Sequence, residues 1–493
     1  MKKGKISLIS LGCPKNLVDS EKLIQSLREK GIGYSSDTED SDIIMINTCG
    51  FIEDAKKESV EEILKLAALK TKGKKRKLIV FGCLAKRYGE RLKKEIPEID
   101  AIWGVGEDKD IVEYCSNILD EQKTAHSSRK SLSKGGVNKK LIRKTTSPSI
   151  KDNAPAFGTP SYLKRGKGEL ISPPLRAYGS EPTAHRGGDE GEGDKLSNTP
   201  YAYLKIAEGC DRKCSYCIIP EIRGKFRSLK PDEILREAEN LVNSGIKELI
   251  LVAQDITSYG KELDGYNISR LIREIAFIKG DFWIRLLYLY PTSITDELID
   301  TIKNEEKVCR YIDMPLQHSE DRILKLMGRG GSRQLHKKLI LKLRKEIPDI
   351  SIRTTLIVGF PGETETDFEG MEKFVQEMRF DRLGVFRYSN EEGTYAYKLK
   401  GQLLKKIKDE RYDRIMKAQS EISYEKNKAL IGKSFKALVD EVDEGIAIAR
   451  IYSQAPEIDG VVMIKHTNIN KGDFIDVEIV EAYDYDLKGI VVG

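Results

Sequence analysis

The stretch YLKIAEGCDRKCSYCIIPEIRG, Tyr203 to Gly224, is a short apolar run that opens into a loop crowded with thiols. Cys210, Cys214 and Cys217 stand there with the spacing C-x3-C-x2-C. Three thiolates can hold three corners of a four-iron cube, which leaves one iron with an open coordination position. A structural zinc knot is the competing reading, but zinc favours four closed ligands, commonly as paired C-x2-C units. No fourth Cys or His lies near this loop in sequence.

An open iron can bind a small molecule through an amine and a carboxylate, as offered by the methionine end of S-adenosylmethionine. A reduced cluster can pass one electron into its sulfonium and release a 5′-deoxyadenosyl radical; the protein's part is position and exclusion of water. Downstream, strand-like runs at Tyr203–Ala207, Glu248–Ala253, Trp283–Tyr288, Tyr311–Met314, Ser351–Val358 and Leu383–Tyr388 are separated by helical patterns such as Pro231–Asn243 and Glu365–Met378. Six β/α units predict an open, partial version of the eightfold barrel, with chemistry at the C-terminal strand ends. Together with the cysteine spacing, this segment resembles the radical S-adenosylmethionine superfamily. The resemblance implies that Tyr216, between two ligands, lies near the adenine. Gln254 and Asp255 end the next strand and are candidates to hydrogen-bond the cofactor's amine or ribose. Gly359, in TTLIVGFPGET, is a candidate for close backbone approach to the adenosine. Each also reads as an ordinary turn or strand-end residue.

A second set of thiols is scattered. Cys13, Cys49 and Cys83 are 36 and 34 residues apart, about one βαβ repeat. Each follows an apolar run: ISLISLGC, IIMINTC and LIVFGC. Strands are expected at Lys5–Leu11, Asp42–Asn47 and Lys77–Phe81, with helices around Val18–Glu29 and Glu53–Leu69, the pattern of a doubly wound parallel sheet. Its strand ends lie along one edge, so distant thiols converge there and again leave one iron open. The alternative is three buried cysteines acting as small apolar fillers. Cys115 and Cys309 show no partner pattern and read as ordinary buried thiols.

A chain of 493 residues is too long for one core, and about three domains are expected. No run approaches the roughly 18 apolar residues of a membrane span. The basic start MKKGKISLISLGCPKN carries an apolar stretch only from Ile6 to Leu11, too short for a signal-peptide core, so it reads as a first strand. A cytoplasmic protein is expected, in a compartment where clustered cysteines mean metal binding or catalysis more often than disulfides. The net charge of +6 invites a nucleic-acid reading, but residues 121–198 hold 15 Lys and Arg against 8 Asp and Glu, while the rest holds 69 against 70. The excess belongs to one Ser-, Gly-, Pro- and Lys-rich segment that reads as an insertion or linker, either a solvated tether or an arm touching ribosomal RNA. The expected division is 1–120, 121–198, 199–429 (ending in a charged helix, Lys405–Leu430) and 430–493. In the last, the runs Phe435–Val439, Ile446–Ile451, Gly460–Ile464 and Phe474–Ile479 predict a small β-barrel.

Strand-end cysteines, the C-x3-C-x2-C barrel and a terminal β-barrel together resemble the methylthiotransferase family, over nearly the whole chain except about 121–198, a stretch longer than that family's linker. The resemblance implies an enzyme with two 4Fe-4S clusters and S-adenosylmethionine, and no acid/base catalyst. Cys210, Cys214 and Cys217 match the radical cluster's ligands; Cys13, Cys49 and Cys83 match those of an auxiliary cluster whose sulfur is methylated and then transferred to a substrate carbon. One branch of the family (MiaB-like) modifies an adenosine of transfer RNA. Another (RimO-like) modifies an aspartate of ribosomal protein S-twelve. The strings GCPKNLVDSE, YLKIAEGCDRKCSYCIIP, DMPLQH, YSQAPEIDG and EAYDYDL look like the second. Charge points the same way: from Ser434 onward there are 5 Lys and Arg against 12 Asp and Glu. Such a domain repels phosphates and attracts a basic protein, unless its charge serves solubility alone. The resemblance implies the ribosomal protein, free or within the small subunit, as partner. It also implies an electron donor such as a flavodoxin or ferredoxin, no membrane, and a monomer. A non-catalytic iron–sulfur or zinc module of the ribosome is the remaining alternative.

Overall fold

The computed structural model describes residues 4–70, 76–132, 198–465 and 468–492. Three apolar runs of the N-terminal region form β1 (Lys5–Ser10), β3 (Ile43–Thr48) and β4 (Lys77–Gly82). With the edge pieces β2 (Gly33–Tyr34) and β5 (Ala101–Trp103) they make a parallel sheet of order β2-β1-β3-β4-β5. The strands are apolar at nearly every position because both faces are covered. Ile6, Leu8, Ile43, Met45, Ile79 and Phe81 face α1 (Pro14–Glu29) and α4 (Asp108–Leu132). Ile9, Ile44, Ile46, Leu78 and Val80 face α2 (Glu53–Lys70) and α3 (Cys83–Glu95). The sheet is doubly wound, as expected.

Four elements of this region differ from the sequence reading, the first being the two-residue edge strand β2. Helix α3 follows the third strand, where no helix was expected; only Cys83, Leu84, Ala85 and Leu92 of its residues are buried, so its apolar stripe is thin. Strand β5 is three residues long and carries no alternation to read. Helix α4 runs to Leu132, past the expected boundary at 120, because buried Ile111, Val112, Cys115 and Leu119 anchor its first turns and each further residue adds a hydrogen bond. Residues 133–197, the rest of the expected insertion, lie outside the described residues.

The central region supplies β6 (Tyr201–Lys205), β7 (Glu248–Val252), β8 (Trp283–Leu286), β9 (Tyr311–Asp313), β10 (Ser351–Val358) and β11 (Arg382–Arg387). They lie side by side in chain order, all parallel, in two three-stranded sheets. The bridge from Ile284 to Val308 and the bonds from Ile284 N–H to the Lys307 carbonyl at 2.7 Å, Cys309 N–H to the Ile284 carbonyl at 2.9 Å and Leu289 N–H to the Asp313 carbonyl at 2.9 Å join the halves. This is the predicted six-unit open barrel, with five of the six strands ending one or two residues earlier than read. Cys115 and Cys309 are buried in apolar surroundings, and burial pushes both thiols up to about 12.

Helix α5 (Lys405–Lys428) crosses β11 and leads into a closed barrel of five strands: β12 (Ser434–Asp443), β13 (Ile446–Ile451), β14 (Val462–Lys465), β15 (Phe474–Ala482) and β16 (Leu487–Val491). The sequence yielded only four runs; β16, LKGIV, is broken by Lys488 and Gly489. This barrel sits at the N-terminal ends of the central strands. Trp283 packs edge-on to Phe474 with ring centres 5.0 Å apart. Buried Glu248 pairs with Arg285 at 2.5 Å and Arg450 at 2.7 Å, and Arg450 also pairs with Asp440. The loop Tyr452–Gly460 enters the lumen: Arg285 donates to the Tyr452 carbonyl at 2.7 Å, Tyr311 to Asp459 at 2.8 Å and Tyr201 to Glu457 at 2.8 Å.

Burial opposes ionisation of Glu248, yet its two guanidinium partners hold the carboxyl below its ordinary range. Removing one member of such a buried network strands the others without compensation. Glu248→Ala is expected to cost about 3–5 kcal/mol, read by chemical unfolding. A loss below about 1 kcal/mol would show that the network does not tie the barrels together.

Candidate active site

Cys13, Cys49 and Cys83 each stand just past a strand of the N-terminal sheet, and backbone crowding forces them together. Gly12 has φ +92°, and a Cβ there would fall 2.7 Å from the Cys49 Cβ. Gly82 has φ +100°, and a Cβ there would meet the Asn47 side chain at 2.2 Å. Only glycine tolerates both conditions. Cys13 is the residue capping α1, with Pro14 at the first helical position, where its missing N–H costs nothing. Cys83 opens α3. Two of the three thiols thus stand at helix N-termini, where the backbone dipole points its positive end.

Asn16 ties these ends. Its Nδ2 donates to the carbonyls of Leu11 at 2.9 Å and Thr48 at 3.3 Å, and Cys83 Sγ faces its Oδ1 at 3.7 Å. Ser59 Oγ accepts from Cys49 N–H and donates to the Cys49 carbonyl, both at 3.0 Å. Burial, with its thiol neighbours, holds Cys49 far above the ordinary thiol range and pushes Cys83 up to about 11. Thiols so placed ionise only against a strong positive charge, which is what a metal centre provides.

The second set is equally fixed. Cys210 N–H donates to the Gly224 carbonyl at 3.1 Å, Ser215 N–H to Met327 at 2.8 Å, and Ala396 N–H to Ser215 at 2.7 Å. Arg212 N–H points at Cys210 Sγ at 3.4 Å, and Arg329 Nη1 at Cys214 Sγ at 3.8 Å. Burial raises Cys210 and pushes Cys217 up to about 12. All eight cysteines are free. Among the described residues, no three His, Cys, Asp or Glu side chains stand close enough to share a single metal ion. In a cubane each thiolate takes a different iron, so its ligands stand further apart than those of one zinc ion.

One cavity of about 380 Å³ touches all six thiols, with Cys13, Cys49 and Cys83 on the N-terminal side and Cys210, Cys214 and Cys217 on the barrel side. Tyr216, Gln254 and Asp255 line it as well. Gln254 Oε1 is buried with no partner among the described residues, so it can accept from a ligand's ammonium or hydroxyl. Asp255 is already engaged, accepting from Arg212 at 2.9 Å, Thr257 N–H at 3.0 Å and Ser258 at 2.9 Å; it orders the strand end. Gly359 is not brought to the cavity. The close approach there is by Lys408, whose Cγ would lie 2.4 Å from an added Cβ, and Gly359 N–H donates to Glu363 at 3.0 Å.

Other lining residues escaped the sequence reading: Lys15, Arg212, Arg223, Arg329, Asp313 and Gln317. Lys15 stands in GCPKN, and Asp313 and Gln317 in DMPLQH, so the quoted strings held them without giving them a role. Arg223 is the joint between the domains. It donates to Asn16 Oδ1 at 2.6 Å and pairs with Asp19 at 3.1 Å and Glu208 at 2.9 Å. Glu208 also binds Lys205 at 2.9 Å, and despite burial these cations hold its carboxyl down at about 2. On the other side of the cavity Glu391 takes Lys56 at 2.8 Å and Arg87 at 3.0 Å. From below, Pro456, Glu457 and Ile458 of the C-terminal domain complete the lining.

Comparison with known proteins gives this arrangement its class. The profile of the Radical SAM superfamily matches residues 204–375, that of Uncharacterized protein family UPF0004 matches 5–104, and that of the TRAM domain matches 431–492. Fold and site together define a radical S-adenosylmethionine enzyme. Among solved structures, a radical S-adenosylmethionine methyltransferase, TsrM, from Kitasatospora setae with cobalamin and a [4Fe-4S] cluster bound shares the fold at TM-score 0.51 and 15% identity, covering 78% of this chain and 72% of that one. The ribosomal protein uS12 methylthiotransferase RimO of Thermodesulfovibrio yellowstonii is 48% identical over 99% of this chain and 99% of its own length. The protein of that name from Thermoanaerobacter sp. strain X514 is 44% identical over 98% and 99%. The chain belongs to the RimO family of methylthiotransferases.

Gly12→Ala drives a methyl group into Cys49. Iron bound after anaerobic reconstitution is expected to fall by about half, from roughly eight per chain toward four, read by colorimetric iron assay. Full iron loading would show that the strand ends tolerate the methyl and are not held in contact.

Proposed function

We propose that this protein converts a C–H bond on an aspartate side chain of ribosomal protein uS12 into C–SCH3. The observation that carries the reading is the single cavity bordered by two sets of three thiols, from two domains. Cys210, Cys214 and Cys217 are assigned to the radical cluster and Cys13, Cys49 and Cys83 to the auxiliary one. Tyr216 and Gln254 are assigned to the S-adenosylmethionine site, with Asp255 ordering its edge. When bound, S-adenosylmethionine and the two 4Fe-4S clusters supply a carbon radical at one set and the sulfur to be transferred at the other. The chain's own residues keep the two sets on one cavity, close it from below and exclude water.

Several features support a basic protein as substrate. Glu441, Asp443, Glu444, Asp476 and Glu481 are exposed on the terminal barrel, whereas Asp440 and Asp459 face buried cations. An exposed acidic face repels RNA phosphates and steers a basic protein. The transfer-RNA reading is not favoured, since the full-length relatives carry the uS12 name. No helix among the described residues is long and apolar enough to cross a membrane. The reading extends to a monomer reduced by a flavodoxin or ferredoxin in the cytoplasm, where ribosomal proteins are made and thiols stay reduced.

Mass measurement of uS12 and of transfer RNA from a strain lacking this protein tests the substrate. Loss of one methylthio increment from uS12 alone is expected; loss from transfer RNA alone would reject the reading. The two thiol sets separate by mutation. Cys214→Ala is expected to abolish cleavage of S-adenosylmethionine while retaining about half the iron. Cys49→Ala is expected to keep cleavage and lose the methylthiolated product, and full product from Cys49→Ala would reject the assignment of its set.

A further inference from the structure

Two cations, half-buried Arg329 and buried Lys15, border the cavity without a carboxylate partner among the described residues, and they stand at opposite thiol sets. Arg329 lies 3.8 Å from Cys214 Sγ, on the barrel side. Lys15 lies two residues beyond Cys13, in the first turn of α1, and is 7% exposed. Its ammonium reaches across the domain boundary to the Ala253 carbonyl at 3.4 Å, just past the end of β7, and sits 3.8 Å from the centre of the Tyr288 ring. An ammonium has three donors, and one long bond to a carbonyl leaves two of them for a ligand. Neither nearby carboxylate pairs with it. Glu208 holds Lys205 and Arg223, each at 2.9 Å, and Asp313 accepts from Tyr288 N–H at 3.1 Å. The remaining cations of the lining are also taken: Arg212 pairs with Asp255 at 2.8 Å, and Arg223 with Asp19 and Glu208.

The reaction proposed above brings two carboxylates into this cavity. One belongs to the methionyl end of S-adenosylmethionine, which the radical set would hold and for which Arg329 is the available cation there. The other belongs to the substrate aspartate. That side chain has one carbon bearing hydrogen, and it is bonded directly to the carboxyl carbon. A cation that grips the carboxylate therefore fixes the C–H bond one atom away. We infer that Lys15 binds the carboxylate of the substrate aspartate and is the specificity-determining residue that makes this cavity an aspartate site. This rests on the proposed uS12 reading. Its position suits that role, because Lys15 spans the gap between Cys13 and the barrel strand end that carries Gln254, so a carboxylate on its ammonium lies between the two thiol sets.

The test uses synthetic peptides covering the modified uS12 segment, one with the target aspartate and one with asparagine in its place. Their Kd values are measured by fluorescence anisotropy on anaerobically reconstituted full-length protein with S-adenosylmethionine present. Unaltered protein is expected to prefer the aspartate peptide by about 10-fold to 100-fold, the range of a charge-assisted hydrogen bond. Lys15→Gln is expected to erase that preference without changing S-adenosylmethionine affinity, and Lys15→Arg to keep most of it. Equal binding of both peptides by unaltered protein overturns the inference with no variant needed. A preference that survives Lys15→Gln also overturns it, and if S-adenosylmethionine affinity falls in that variant the ammonium serves the cofactor's carboxylate instead. Failure of unaltered protein to methylthiolate the aspartate peptide would count against the uS12 reading itself.

Discussion

The hydrogen bond from Arg223 to Asn16 is the constraint on which the rest of the molecule depends. Asn16 gathers the ends of β1 and β3 through the carbonyls of Leu11 and Thr48, and its Oδ1 takes the guanidinium of a helix that begins just after the second cysteine loop. One side chain thus sets the distance between two thiol sets from different folding units. Arg223 is 8% exposed, so its charge is compensated within the protein, by Asp19 from the N-terminal domain and Glu208 from the barrel. Losing either carboxylate leaves a buried positive charge between the domains, a penalty of several kcal/mol. The geometry of the cavity and the stability of the interface are one property.

A common electrostatic logic governs the cavity wall. Burial opposes ionisation of Cys49, Cys83 and Cys217. The fold answers with helix N-termini at Cys13 and Cys83, a backbone N–H at Cys210 and a guanidinium at Cys214. None of these equals the charge of iron, so the site is built for a metal centre and poised unfavourably without one. Holo and apo forms should differ in stability for that reason, by mass action on the loaded state.

The doubly wound sheet, the six-unit barrel and both thiol sets were legible because each rests on a local signal: an apolar run of strand length followed by a cysteine at a fixed step. The cavity's other residues were not. Arg223 and Asn16 are 207 positions apart, and no periodicity links them. Gly359 drew attention as a glycine after a strand, but its open space is filled by Lys408 from α5, a long-range contact that strand patterning does not encode. Helix α3 and strand β16 were missed because charged residues and a glycine interrupt their apolar faces. The acidic count of the terminal domain was legible, but not its division: Asp440 and Asp459 face inward onto arginines, whereas Glu441, Asp443, Glu444, Asp476 and Glu481 are exposed.

The loop that the terminal barrel sends into the lumen makes the cavity a property of all three folded units. Pro456, Glu457 and Ile458 form the bottom of the chamber, and Glu457 holds a left-handed backbone (φ +68°) to do so. Any version of this chain shortened before Tyr452 would lose that part of the wall, together with the partners of Arg285, Tyr311 and Tyr201.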